Sequence, residues 1–184
     1  ENSAAIISGD NIEVMGARGV LLADLGESST DTTVGEFNLR GAKISYLDRG
    51  DQYNVRTREL IPSKEKREGR KLDPASDKFA PYFPGHAFYP DVLGDSVVLN
   101  LLTRFIDSPQ QEVIGLAFDN AAKGSKPALG FEFRFRKGAG SVGWFSAARG
   151  GEDYSVANIY LDIAPVVMAQ PIYQPYRGTV SGAN

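Results

Sequence analysis

Residues 131–136 read Phe-Glu-Phe-Arg-Phe-Arg, three aromatic rings alternating with three charges. A period of two sends Phe131, Phe133 and Phe135 to one face of a strand and Glu132, Arg134 and Arg136 to the other. One face therefore packs on a core while the other meets water. Antiparallel sheets behave this way, whereas strands of buried parallel sheets are apolar throughout.

Shorter apolar or alternating runs recur along the chain. They predict strands over Asn11–Met15, Gly19–Leu25, Gly35–Leu39, Ala42–Leu47, Gln52–Leu60, Glu112–Phe118, Leu129–Lys137, Ser141–Ala147 and Ser155–Ala164. Glycines sit between or beside them, among them Gly16, Gly26, Gly41, Gly50, Gly138 and Gly150. Many short strands with glycine-rich turns point to an all-β antiparallel sandwich, jelly-roll-like in strand count, with at most one or two short helices. The element over Asp95–Asp107 reads two ways. As a helix, Val98, Leu101, Leu102, Phe105 and Ile106 share a face, with Asp95 or Ser96 as N-cap. As a strand, Val97, Leu99, Leu101, Thr103 and Phe105 do. The helix is preferred because it puts Asn100 and Arg104 together on the wet side.

The chain's 184 residues fit one sandwich domain over 1–164. Two segments look irregular. Residues 62–90 form a long loop carrying Pro62, Pro74, Pro81, Pro84 and Pro90; loops of that length are usually functional or disordered. Residues 165–184, with Pro171 and Pro175 spacing Tyr173 and Tyr176, predict an extended tail rather than a central strand.

The formal charge of −3 argues against general affinity for nucleic acid or anionic membranes. The absence of cysteine excludes disulfides, thiolate metal sites and a cysteine nucleophile. No apolar stretch approaches the ~20 residues that span a bilayer as a helix. Because the chain opens on Glu1, a preceding segment is expected to have been removed, a cleaved signal peptide being one explanation.

His86 is the sole histidine, so within one chain a catalytic triad or a two-histidine metal site is not available; pairing with Asp91 or Asp95 as a general base is the remaining route. Asp24, Asp31, Asp48, Asp51, Asp119, Asp153 and Asp162 lie at or near predicted strand ends, where sandwiches gather calcium ligands. Aspartate is equally favoured in turns, and no calcium-loop motif is present. No cofactor is specified. Gly138-Ala139-Gly140-Ser141-Val142-Gly143 lies between two strands and reads as a hairpin turn, since a dinucleotide fingerprint needs a following helix.

Arg49-Gly50-Asp51 falls between two predicted strands, at an expected exposed hairpin tip. It resembles the integrin-recognition tripeptide, a likeness of three residues. Residues 56–71 hold seven basic side chains (Arg56, Arg58, Lys64, Lys66, Arg67, Arg70 and Lys71) against Glu59, Glu65 and Glu68. That local balance of +4 within a total of −3 leaves −7 on the remainder. A solvated loop is the plain expectation, and a contact with an acidic neighbouring subunit is the functional one.

The aromatic-proline stretch carries Tyr82, Phe83, His86, Phe88 and Tyr89. Exposed, these rings and Tyr173 and Tyr176 would form an interface or a sugar-stacking surface; buried, they close one end of the sandwich. Trp144 is expected in the core.

The leading expectation is a non-enzymatic interaction or assembly protein of an extracellular, envelope or virion surface. It would self-associate or bind another protein through the long loop and the tail, with Arg67, Arg70 and Lys71 contributing. Carbohydrate binding through Tyr82, Phe83, Tyr89 or Trp144 is the second expectation and a carboxylate-dependent hydrolase the third; nucleic acid is disfavoured.

Overall fold

The computed structural model describes residues 2–86, 88–119, 128–169 and 172. The chain forms β1 (Ser3–Ser8), β2 (Asn11–Gly16), β3 (Val20–Asp24), β4 (Leu39–Leu47), β5 (Gln52–Asn54), β6 (Glu59–Ile61), α1 (Lys64–Arg67), β7 (Arg70–Leu72), β8 (Phe88–Tyr89), α2 (Val97–Ile106), β9 (Glu112–Phe118), β10 (Ala128–Arg136), β11 (Val142–Ser146) and β12 (Asp153–Met168). The fold is all-β and sandwich-like. A four-stranded sheet runs β1-β2-β5-β6; an eight-stranded sheet runs β3-β4-β12-β10-β9-β8, with β11 on β12 and β7 on β11. Every pairing is antiparallel except the short β8–β9 ladder.

The 16-residue β12 is the axis. Its first half pairs with β11 and its second with β10 along one side, while β4 runs along the other. Tyr154, Ser155, Val156 and Ala157 are all buried, so both faces of the strand are covered there. Val156 belongs to the main core, with Leu101, Leu102, Phe105 and Ile106 of α2, Val113 of β9 and Phe135 of β10. Ala157 belongs to a second core, with Val14 of β2, Leu47 of β4, Tyr53 of β5 and Leu60 of β6. Neighbouring strand residues point to opposite faces. Hence α2 covers one face of the large sheet and the small sheet covers the other. Asn158, at φ +58°, marks the irregularity between the Val156 and Ile159 pairings, after which Ile159, Leu161 and Ile163 return to the main core.

The opening motif behaves as its period requires. Phe135 is buried, and Phe131 and Phe133 pack against the main core. The opposite face carries ion pairs: Arg134 reaches Glu112 at 2.7 Å and Glu132 at 2.8 Å, and Arg136 reaches Asp162 at 2.6 Å.

Residues 97–106 are helical, with Leu101, Leu102, Phe105 and Ile106 buried and Asn100 and Arg104 exposed. Ser96 is the N-cap, in a left-handed conformation and without a side-chain capping bond. It instead accepts from the Arg18 guanidinium at 3.2 Å.

Four expectations need correction. The run over Gln52–Leu60 is two short strands, because the Asn54 carboxamide accepts from the Arg56 and Thr57 amides and Arg58 takes φ +57°. Residues 35–38 are not strand: Asn38 donates to the Asp31 and Glu36 carbonyls, and β4 begins at Leu39. Strand β12 runs on through Met168, so residues 165–168 belong to the sheet. Pairing with β4 ends at Ile163, which leaves Pro165 with β10 as its one strand neighbour among the described residues, a place where proline is tolerated. The loop over 62–90 contains α1, β7 and β8.

Candidate functional site

The connection from β4 to β5 passes from the large sheet to the small one, so the Arg-Gly-Asp triplet lies at a crossover rather than at a hairpin tip. Arg49 and Gly50 are exposed, but Asp51 is 0% exposed. Its carboxylate accepts from the Asp48 amide at 2.7 Å, the Ser63 amide at 2.8 Å and the Ser155 hydroxyl of β12. Lys66 of α1, 1% exposed, brings its Nζ to 2.8 Å from Asp51 and 3.7 Å from Asp48. The shorter approach falls outside hydrogen-bond angles, so the attraction is mainly coulombic. This cluster joins the small sheet, α1 and β12 through one buried carboxylate. The expected exposed Asp51 and the expected solvated Lys66 are both overturned, because each supplies the other's counter-charge in the interior.

The other expected residues divide by position. Arg67 is exposed on α1. Arg70 pairs with the buried Asp107 and lies 5.8 Å over the Phe145 ring. Lys71 reaches Asp73 at 3.2 Å. His86 is exposed with its ring edge-on to Tyr89, centroids 6.2 Å apart. Phe88 is exposed on β8, and Tyr89 and Trp144 are half-buried, packed on the main and second cores respectively. Tyr173 and Tyr176 lie outside the described residues.

Tyr82 and Phe83 enter the one arrangement that brings expected residues together with polar chemistry. The Asp107 carboxylate, just past the end of α2, accepts from the Tyr82 amide at 3.0 Å, and its carbonyl accepts from the Phe83 amide at 2.9 Å. The two rings meet edge to face, 5.0 Å between centroids, and Arg104 of α2 lies 5.4 Å over the Phe83 ring. Tyr82, Phe83 and Arg104 line a groove of about 480 Å³. Leu99, Asn100 and Thr103 of α2 and Arg18, from the β2–β3 turn, line it as well. So do the acidic Asp48, Glu152 and Asp153.

The floor is phenolic. Tyr46 and Tyr154 are both buried, and desolvation pushes each hydroxyl up to about 12, reinforced by Asp48 beside Tyr46 and Asp107 beside Tyr154. Both therefore stay protonated and able to donate at neutral pH. Gly19 makes room for one of them: its amide donates to the Tyr46 hydroxyl at 3.1 Å, and a Cβ there would fall 2.5 Å from the ring. Arg18, Arg104, Tyr46 and Tyr154 carried no sequence signal. They come from four separate elements and meet only in space.

Among the described residues no group of three His, Cys, Asp or Glu side chains converges to hold a metal. Several of the aspartates expected at strand ends serve turns, as where Asp24 accepts from the Gly26 amide and Asp31 from that of Thr33. Among the described residues no helix is long and apolar enough to cross a membrane. Compared with protein-family models, curated proteins and solved structures, the chain matches none.

Proposed function

We propose that the protein is a non-enzymatic assembly component of an extracellular, envelope or virion surface, and that it associates by adding β1 of one copy to β1 of another. The carrying observation is the state of β1. Residues 4–8 are exposed, the sequence Ser-Ala-Ala-Ile-Ile-Ser bears no charge, and among the described residues β2 is its one strand neighbour. Sheet edges are ordinarily guarded by charges, proline or bulges, and β1 carries none of these along its length. The opposite edge, β6, is three residues long and begins with Glu59.

The β1–β2 connection is a two-residue hairpin with Gly9 at φ +57°, closed by the Ser8–Asn11 pair. Alternation from that closing pair turns the backbone groups of Ser3, Ala5 and Ile7 outward. A two-fold axis at Ala5 would then pair Ala4 with Ile6, and Ser3 with Ile7, of the second copy. Each isoleucine would face a small residue, and two four-stranded sheets would become one. On this reading the contact uses β1 in addition to the long loop and tail expected from sequence.

Ala5→Pro removes an outward amide while leaving the β2 ladder its donors. Light scattering coupled to size-exclusion chromatography should show a dimer or larger species for the parent chain and a monomer with an unchanged circular-dichroism spectrum for the variant. A parent chain that stays monomeric through the micromolar range would overturn the proposal.

A further inference from the structure

We infer that the groove beside Tyr82 is a binding site for a neutral carbohydrate chain, a role separate from the β1 contact. A pyranose ring presents a flat C–H face and a rim of hydroxyls that both donate and accept. Its binding site therefore needs an open aromatic face beside planar polar groups. Tyr82 supplies the face. Its side chain is 71% exposed, yet its amide is anchored to the buried Asp107 and its ring is braced edge-on by Phe83. An exposed ring held from behind loses little freedom when a ligand stacks on it.

Polar groups able to pair with sugar hydroxyls line the same groove as Tyr82. Arg104 rests on Phe83 at 5.4 Å and, among the described residues, has no carboxylate within ion-pair distance, so its donors remain available. Glu152 and Asp153 line the same groove as acceptors, and the buried phenol of Tyr154 offers a donor there. The mixture of charges also decides the class of ligand. The carboxylates of Asp48, Glu152 and Asp153 oppose phosphate or sulfate chains, and the guanidinium groups of Arg18 and Arg104 oppose cations. Neutral hydroxyls satisfy both sets at once. Fully apolar ligands would strand the charges without partners.

The test is affinity electrophoresis through gels containing glucan, mannan, xylan or galactan, with polyuronate and sulfated polysaccharide as anionic counterparts. Isothermal titration with oligosaccharides of whichever neutral chain retards the protein then measures affinity. At least one neutral polysaccharide should retard the parent chain. Tyr82→Ala should weaken binding by about tenfold or more, Tyr82→Phe should retain most of it, and Arg104→Met should weaken it, all with melting temperatures close to the parent. Retardation by anionic chains alone, by none, or unchanged in Tyr82→Ala would each overturn the inference. Running the same gels on the monomeric Ala5→Pro variant separates this site from the β1 contact, since the groove needs no second copy.

Discussion

Strands β12 and β1 are both rich in apolar residues, yet they occupy opposite extremes of the structure. The first is sixteen residues long with strands on either side, and both its faces are covered over residues 154–157. The second is six residues long with one neighbour among the described residues, and Ile7 is 71% exposed. Apolar content therefore does not say where a strand lies; the number of partners the topology supplies does. Over residues 154–163 of β12 the aliphatic side chains are buried within the chain, and near its end Val167 is exposed. In β1 the apolar side chains of residues 4–7 are all exposed.

The largest effect should come from the buried cluster that holds the two sheets to each other. Lys66→Met leaves the Asp51 carboxylate buried without its counter-charge, and should cost about 3–5 kcal/mol in urea unfolding. A loss below about 1 kcal/mol would show that the three hydrogen bonds to Asp51 suffice and that the sheets are joined by apolar packing alone. On β12 itself, Ile159 is fully buried, so Ile159→Ala should cost about 2–5 kcal/mol by the same measurement.

Alkaline pH provides the next contrast, because the groups concerned all surround the main core and none lies on β1. Burial lowers the Lys137 amine to about 8, while its ammonium donates to the Ser108 carbonyl at 2.6 Å and lies 4.8 Å from the Phe105 ring centroid. Between that value and the ordinary lysine value of 10.5 the unfolded chain holds the extra proton, so stability should rise with pH. Tyr46 and Tyr154 act in the opposite sense. Their phenols ionise near 10 when unfolded but near 12 when folded, so stability should fall through that window. Urea midpoints measured across the alkaline range should pass through a maximum near pH 10. Lys137→Met should remove the rise and Tyr46→Phe should soften the fall; a flat profile would mean that water reaches all three groups.

The smallest effect on folding should be on β1. Ile6→Ala should change monomer stability by no more than about 0.5 kcal/mol, while weakening association seen by analytical ultracentrifugation. A folding loss as large as that of Ile159→Ala would place Ile6 in a core and remove the contrast between the two strands.

The elements legible in the chain are those whose signal is local. Alternation marked β10, a short apolar run marked β9, spacing of three and four favoured α2, and the rings of β10 faced the core as their period required. The missed elements lacked such a signal. Strand β1 is an unalternating apolar run too short to distinguish from loop or helix. The Val55–Arg58 turn hides among residues that suit a strand, because Asn54 creates it through hydrogen bonds to its own neighbours. Of the groove, Tyr82 and Phe83 stood out as aromatics set among prolines, but no pattern joined them to Arg104 or Tyr154.

Sequence alone determined an all-β chain with half-wet antiparallel strands and an acidic body with a basic segment, and it preferred a helix to a strand over residues 95–107, since periodicity and charge are properties of neighbouring residues. The tertiary structure decided that Lys66 lies inside while Arg67 stays in water, that Asp51 joins two sheets rather than topping a hairpin, and that Tyr82 overlooks a polar groove. Burial of a charge depends on whether a counter-charge distant in the chain arrives beside it. Only the path between the sheets, which brings residues 48–51, 63–66 and 155 to one point, supplies that partner.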